Sequence, residues 1–146
     1  MRPKKIILIA DPNEQRLSVM LYTLATNGYR VLRASSSQEA VASYATAEIV
    51  DLVIVSETKD NPQFPARQLV EQLRKLRRHI PVLLLTDGEP QAGDLWADAV
   101  VARIACPSLE LLERARVMSA RKRGPRKVEF SKAPAAEPVV IEAVAR

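Results

Sequence analysis

KKIILIADPNE, residues 4–14, decides the architecture. Ile6 to Ala10 form an unbroken apolar row. That suits a strand buried on both faces, since a strand with one wet face would alternate apolar and polar residues. The row stops at Asp11, and a helix start follows at once. Asp11 is expected as its N-cap, Pro12 at the first helical position and Glu14 three residues after the cap. Leu17, Met20, Leu21 and Leu24 then recur at helical spacing. Asn27-Gly28 ends the helix, because both residues tolerate a left-handed backbone.

The same unit repeats outward from this stretch. Tyr29 to Ala34 reads as a second strand, and Ser36 with Glu39 as a capping box for a helix carrying Ala40, Val41, Tyr44 and Ala45. Ile49 to Val55 (IVDLVIV) is a third strand, followed by a polar loop over 56–65. Leu69, Val70, Leu73 and Leu76 mark a third helix, which ends in RKLRRH, where positive charge complements the helix dipole. Ile80 to Leu85 (IPVLLL) is a fourth strand ending at Thr86. Residues 87–98 hold a weak helix at best. Val100 to Ala105 is a fifth strand, and Pro107-Ser108 opens a last helix with Leu109, Leu112 and Val117. Strands alternating with helices over short connections predict an α/β, doubly wound, five-stranded parallel sheet in the order 2-1-3-4-5. Such sheets place function beyond the carboxyl ends of their strands, here Asp11, Ser56, Thr86 and Cys106.

Composition removes several kinds of chemistry. One cysteine excludes a disulfide framework and a multi-cysteine zinc site, and one histidine excludes a multi-histidine metal site. That histidine, His79, ends a basic helix and reads as solvated surface. The four glycines, at 28, 88, 93 and 124, form neither GxGxxG nor GxxxxGK[ST]. No apolar run approaches the ~18 residues of a membrane span. MRPKK has the charge of a signal peptide, but IILIA is too short for its apolar core, which points to a soluble, cytoplasmic protein without a membrane partner. The net charge of +5 is uneven. Residues 1–117 carry 15 Lys/Arg against 14 Asp/Glu, a net of +1, whereas residues 118–146 carry 7 against 3, a net of +4. The expected organisation is one globular domain over 1–120 and a basic, Pro/Ala-rich tail over 121–146, disordered when free.

The ordered set of IILIAD, DLVIVS, IPVLLLT and a residue-Pro pair followed by LELLERAR resembles the receiver domain of response regulators, the CheY-like fold of two-component signalling. The resemblance covers about residues 4–120. It implies two adjacent acids after the first strand, a phosphoacceptor aspartate after the third, Ser/Thr after the fourth, and a Lys-Pro pair after the fifth. This sequence has Asp11 and Pro12 at the acid positions, Ser56 at the phosphoacceptor, Thr86 at the Ser/Thr and Cys106-Pro107 at the Lys-Pro. Arg103 stands where many members carry a switch aromatic. A receiver holds Mg²⁺ on carboxylate oxygens, so with Pro12 and Ser56 in two of the three acid positions Mg²⁺ is expected to bind weakly or not at all, and at most weakly at Asp11. No other cofactor is implied. A serine hydroxyl lacks the carboxylate chemistry of an acyl phosphate, and Cys106 supplies no positive charge. The resemblance also implies a cis bond between Cys106 and Pro107.

Each position has a plainer reading. Asp11 serves as a helix cap or as a remnant metal ligand. Ser56 fills the place of the acid or accepts phosphate from another kinase. Asp60 sits close enough in sequence to lend a carboxylate. Thr86 is a switch residue or bonds the local backbone. Cys106 is a small hydrophobe or a redox sensor. Trp96 is a packing residue or lid. The expectation is a stand-alone, degenerate receiver that is not an enzyme and works by binding a protein, of the histidine-kinase or output-protein class. The implied partner face is built from the fourth helix, fifth strand and fifth helix, including Trp96, Arg103 and the helix from Ser108. Two alternatives remain: a nucleic-acid-associated regulator using the basic tail, and a receiver phosphorylated by an altered chemistry.

Overall fold

A computed structural model describes residues 4–47, 49–57, 65–77, 79–89 and 96–120. The expectations for Asp60, for most of the loop over 56–65, for residues 90–95 and for the tail over 121–146 lie outside the described residues. Five strands form one parallel sheet: β1 (Ile6–Ala10), β2 (Arg30–Ala34), β3 (Leu52–Glu57), β4 (Val82–Thr86) and β5 (Ala99–Ala102). Their order is β2-β1-β3-β4-β5, as the sequence predicts. The helices described are α1 (Glu14–Ala25), α2 (Ser37–Thr46), α3 (Ala66–Leu76) and α4 (Ser108–Ser119).

Strand alternation divides the interior into two layers. Ile7, Ile9, Leu52, Ile54, Leu83, Leu85 and Val101 pack against Leu17, Met20 and Leu24 of α1 and Leu111, Ala115 and Met118 of α4. Leu8, Ala10, Val53, Val55, Val82 and Leu84 face the opposite way, onto Ala40 and Tyr44 of α2 and Leu69, Val70 and Leu73 of α3. Burial on both faces is why β1, β3 and β4 read as continuous apolar runs. Tyr44 is fully buried, and the Arg77 guanidinium lies 4.7 Å from its ring centroid.

Several boundaries differ from the sequence expectation: β3 continues through Ser56 and Glu57, which the sequence assigns to the loop over 56–65, and β4 begins at Val82 and not at Ile80. Asn13, not Asp11, is the N-cap of α1: its Oδ1 accepts from the Arg16 N–H at 3.0 Å. Pro12 therefore precedes the helix. The third strand begins at Leu52 and not at Ile49, which is half exposed. Asp51 interrupts the ladder there by giving its carboxylate to the Ile6 N–H at 2.8 Å while its own N–H bonds the Ile6 carbonyl. The fifth strand stops at Ala102, and Arg103–Ala105 form a 3-10 turn. The second helix follows its capping signal with one shift. The Ser36 hydroxyl accepts from the Glu39 N–H, but the Glu39 carboxylate reaches the N–H and hydroxyl of Ser35. Those two donors hold Glu39 below the usual carboxylate range. Gly28, at φ +95°, supplies the left-handed residue that ends α1.

Asp98 does for β4 what Asp51 does for β1. Its Oδ2 accepts from the Val82 N–H at 2.8 Å and from Arg74 at 3.0 Å, and Arg74 also reaches the Trp96 carbonyl at 2.6 Å. Asp98→Ala would leave a part-buried N–H and a guanidinium without their acceptor. The expected cost is about 1–3 kcal/mol, read as a lower urea midpoint at unchanged slope.

Candidate functional site

The strand register lines up one row of side chains at the carboxyl end. Ala10 pairs with Val55, so Asp11 and Ser56 come next to each other. Ser56 pairs with Leu85, and Leu85 with Val101. Counting by twos from Ile9, Ile54 and Leu83 puts Asp11, Ser56 and Leu85 on the α1/α4 face. Neighbouring strands lie about 4.8 Å apart. Thr86 and Glu57 have the other parity and face α2 and α3. The sheet thus brings Asp11 and Ser56 together and keeps Thr86 apart from them.

Asp11 is fully buried and charged, and its partner comes from the first turn of α1. Arg16 Nε donates to Asp11 Oδ2 at 3.0 Å, and Nη2 donates to Oδ1 at 3.1 Å. Oδ1 also accepts from the Asn13 N–H at 2.8 Å. This is the paired, side-on fork that guanidinium and carboxylate favour. The Asp11 N–H meanwhile continues the ladder to the Ala34 carbonyl at 3.0 Å. Of the two sequence readings of Asp11 as cap or ligand, neither describes this geometry: the carboxylate braces the turn ahead of the cap and holds an arginine.

Ser56 is fully buried, and its hydroxyl finds no hydrogen-bond partner among the described residues. Thr86 is also buried and donates from Oγ1 to the Gly88 carbonyl at 2.6 Å, the local backbone bond expected of a strand-end hydroxyl. Arg103 turns inward from the 3-10 turn. Its Nη2 donates to the Glu57 carbonyl at 3.1 Å and forms an ion pair with Asp87, while Nη1 is enclosed without a partner among the described residues. One guanidinium therefore ties the ends of β3 and β4 together. Sequence reasoning placed Arg103 as a stand-in for an aromatic and treated positive charge as lost at Cys106. The structure returns a cation three residues earlier, and the geometry explains the short β5: the chain leaves the sheet at Ala102 so that Arg103 can reach across.

Cys106 is half buried. Burial pushes its thiol above the ordinary cysteine value, Glu110 adds to that, and Arg114 offsets part of it. The charges acting on this thiol are those of α4 and not Arg103. The Cys106–Pro107 bond is trans, which corrects the expected cis isomer. A cis bond costs about 0.5–1 kcal/mol even before proline. Here the turn closed by Cys106 N–H on the Arg103 carbonyl leads through a trans bond into α4, where the Pro107 carbonyl accepts from Leu111. A groove of about 400 Å³ opens between α1 and α4 beside this corner, lined by Arg16, Met20, Leu85, Arg103 and Leu111 among others. Trp96 is partly buried against the α2/α3 core and acts as a packing residue.

The metal implied by the resemblance does not suit this donor set. A magnesium ion needs several hard oxygens in near-octahedral array. The described residues contain no group of three or more His, Cys, Asp or Glu placed to hold a metal. Asp11 has both oxygens engaged, and its neighbours across the row are a hydroxyl and a leucine.

No family model matches the chain. In sequence it is 32% identical over 82 residues to the alkaline phosphatase synthesis transcriptional regulatory protein PhoP of Bacillus subtilis. That match covers 56% of this chain and 33% of the relative, so the chain spans about a third of the relative's length. Among solved structures it is similar to the non-phosphorylated HemR receiver domain of Leptospira biflexa, with a TM-score of 0.72 and 23% identity over 83% of this chain and 98% of that one. A CheY-like response regulator receiver domain protein from Methanospirillum hungatei gives 0.70 and 23% over 80% and 94%. Chemotaxis protein CheY4 of Vibrio cholerae gives 0.70 and 20% over 80% and 99%. The chain has the CheY-like fold of response-regulator receiver domains. No helix among the described residues is long and apolar enough to cross a membrane.

Two outcomes are expected at this site. Ser56→Ala removes an unpartnered buried hydroxyl, so stability stays within about 1 kcal/mol of the parent or rises. Ser56→Asp sets a second carboxylate beside Asp11 where the two described cations nearby are already paired, Arg16 with Asp11 and Arg103 with Asp87, and costs about 3 kcal/mol or more. Chemical denaturation of both variants measures the contrast. For Cys106, the folded thiol titrates above the unfolded one. Its contribution to stability is therefore present below the ordinary thiol range and is lost as pH rises through the folded value. Alkylation by iodoacetamide at pH 8 is expected to run slower in the folded protein than in urea.

Proposed function

We propose that the chain is a receiver-type signalling domain of the two-component class that acts by binding a protein partner, without catalysis and without the aspartyl phosphorylation typical of such domains. One observation carries the reading: the residue beside Asp11 in the β1/β3 row is Ser56, enclosed and without a side-chain partner among the described residues. An acyl phosphate requires a carboxylate, and a serine hydroxyl without an adjacent base is a weak nucleophile. The ion pairs of Arg16 with Asp11 and Arg103 with Asp87 further support a corner held in place without a phosphoryl group.

The partner face in this reading is the region after β5. Ile104 is 92% exposed and Leu109 81%, more than any other large apolar side chains described. Two such residues, one on the 3-10 turn and one on the first turn of α4, favour docking of a protein with an apolar patch of its own. The kinase or output protein concerned belongs to the same class of partner that the relatives' fold suggests. Contact of the basic tail with nucleic acid is a second reading, supported by the net charge of +4 over 118–146.

The test has two arms. Incubation with acetyl phosphate and Mg²⁺ is expected to leave the intact mass unchanged. Hydroxylamine-labile phosphate would overturn the reading, and hydroxylamine-stable phosphate on Ser56 would favour the altered chemistry instead. Ile104→Asp with Leu109→Asp is expected to weaken partner binding at least tenfold, while the stability stays within about 0.5 kcal/mol, as for other surface changes.

A further inference from the structure

We infer that Arg16 is the domain's resident cation, a tethered guanidinium that fills the electrostatic role of a divalent ion at Asp11 and sets the carboxyl end of the sheet in one state whatever the metal supply. The inference rests on the receiver-type reading above, and it concerns how that same corner is held.

The argument begins with burial. Asp11 has no exposed surface, and a buried carboxylate without a cation is strongly destabilising. Three donors converge on it: Arg16 Nε at 3.0 Å, Arg16 Nη2 at 3.1 Å and the Asn13 N–H at 2.8 Å. A carboxylate has about four lone-pair sites, so three directed bonds leave little of it for another ligand. An incoming ion would have to displace the fork and, among the described residues, would gain one carboxylate in the row, since Ser56 and Leu85 complete it.

Arg16 is also held by its backbone. Its N–H donates to the capping Asn13 Oδ1 at 3.0 Å, so the turn over 11–13 fixes main chain and side chain of the same residue. The cation is covalently attached to the first turn of α1 and bears on Asp11 at a high effective concentration. A free ion at ordinary millimolar levels has no comparable advantage. An ion that binds no state better than another shifts no equilibrium. Arg103 acts in the same sense on the far side of Ser56, where it binds the Glu57 carbonyl and Asp87. Two arginines fixed by the chain thus bracket the corner.

The experiment uses the full chain with Mn²⁺ as a paramagnetic probe, read by amide NMR broadening, and Mg²⁺ titration of the thermal midpoint against NaCl of matched ionic strength. In the wild type, no broadening centred on Asp11, Asn13 and Ser56 is expected, and Mg²⁺ gives no shift beyond the NaCl control. Arg16→Ala is expected to lower the midpoint by roughly 5 °C or more. It should also open a weak, millimolar Mn²⁺ site at those amides, lost again in the Asp11→Asn, Arg16→Ala double variant. Arg16→Lys, which retains a cation, should fall between the two in stability and show no Mn²⁺ site. Broadening centred on Asp11 in the wild type overturns the inference. So does an Arg16→Ala variant as stable as the wild type with no gained site. Should Arg16→Ala fail to fold, the wild-type and Arg16→Lys arms decide. Wild-type Mn²⁺ binding would leave the receiver-type reading standing, since that reading fails on hydroxylamine-labile phosphate or on partner binding that the Ile104→Asp, Leu109→Asp variant leaves unchanged.

Discussion

A carboxylate cannot be sealed inside a protein without something positive to face it, and the carboxyl end of this sheet is organised around that requirement at Asp11. β1 must run straight into a helix, which buries the first residue after the strand. That residue is an acid, so the first turn of α1 has to present a cation, and Arg16 does so with two directed bonds. Capping then falls to Asn13, because Asp11 is already committed. The same requirement explains the calm of the neighbouring position. With one acid and one cation matched, an uncharged Ser56 leaves the electrostatics balanced, and a second acid there would not.

The architecture was legible because each strand is punctuated. IILIA, DLVIV and VLLL are continuous apolar runs that only a doubly covered sheet accommodates, and each is followed by cap or turn chemistry. Boundaries were less legible wherever a polar side chain takes over the role of a strand partner. IVDLVIV reads as seven strand residues, but Asp51 uses its carboxylate on the Ile6 N–H and delays the strand to Leu52. VVARIA reads as six, but Arg103 has a better use reaching the Glu57 carbonyl and Asp87. Local patterns weigh propensity and periodicity, and these two side chains answer to groups 45 and 46 residues away.

The candidate site was legible as a set of positions and not as a set of interactions. Spacing identified Asp11, Ser56, Thr86 and Cys106. Which of them meet depends on strand parity and register, and these place Asp11 with Ser56 and turn Thr86 to the other face. Arg16 carried a signal that could have been used: a basic residue five positions after a strand-end acid, in the first turn of a helix, lies within reach of that acid. The isomer of the Cys106–Pro107 bond was not legible at all, because it depends on how the turn from Arg103 delivers the chain into α4.

The division of the interior into two layers has a spectroscopic consequence. Trp96 is the single tryptophan of the chain, and it packs on the α2/α3 side of the sheet. Asp11, Arg16 and Ser56 belong to the other side. Its emission is therefore insulated from direct contact with that corner by a sheet whose side chains interdigitate on both faces. One relay from the corner to its ring is open among the described residues, along β4 and β5, whose far ends Asp98 joins to Trp96 by way of Arg74. The protein carries a built-in listener on the quiet side of its own wall.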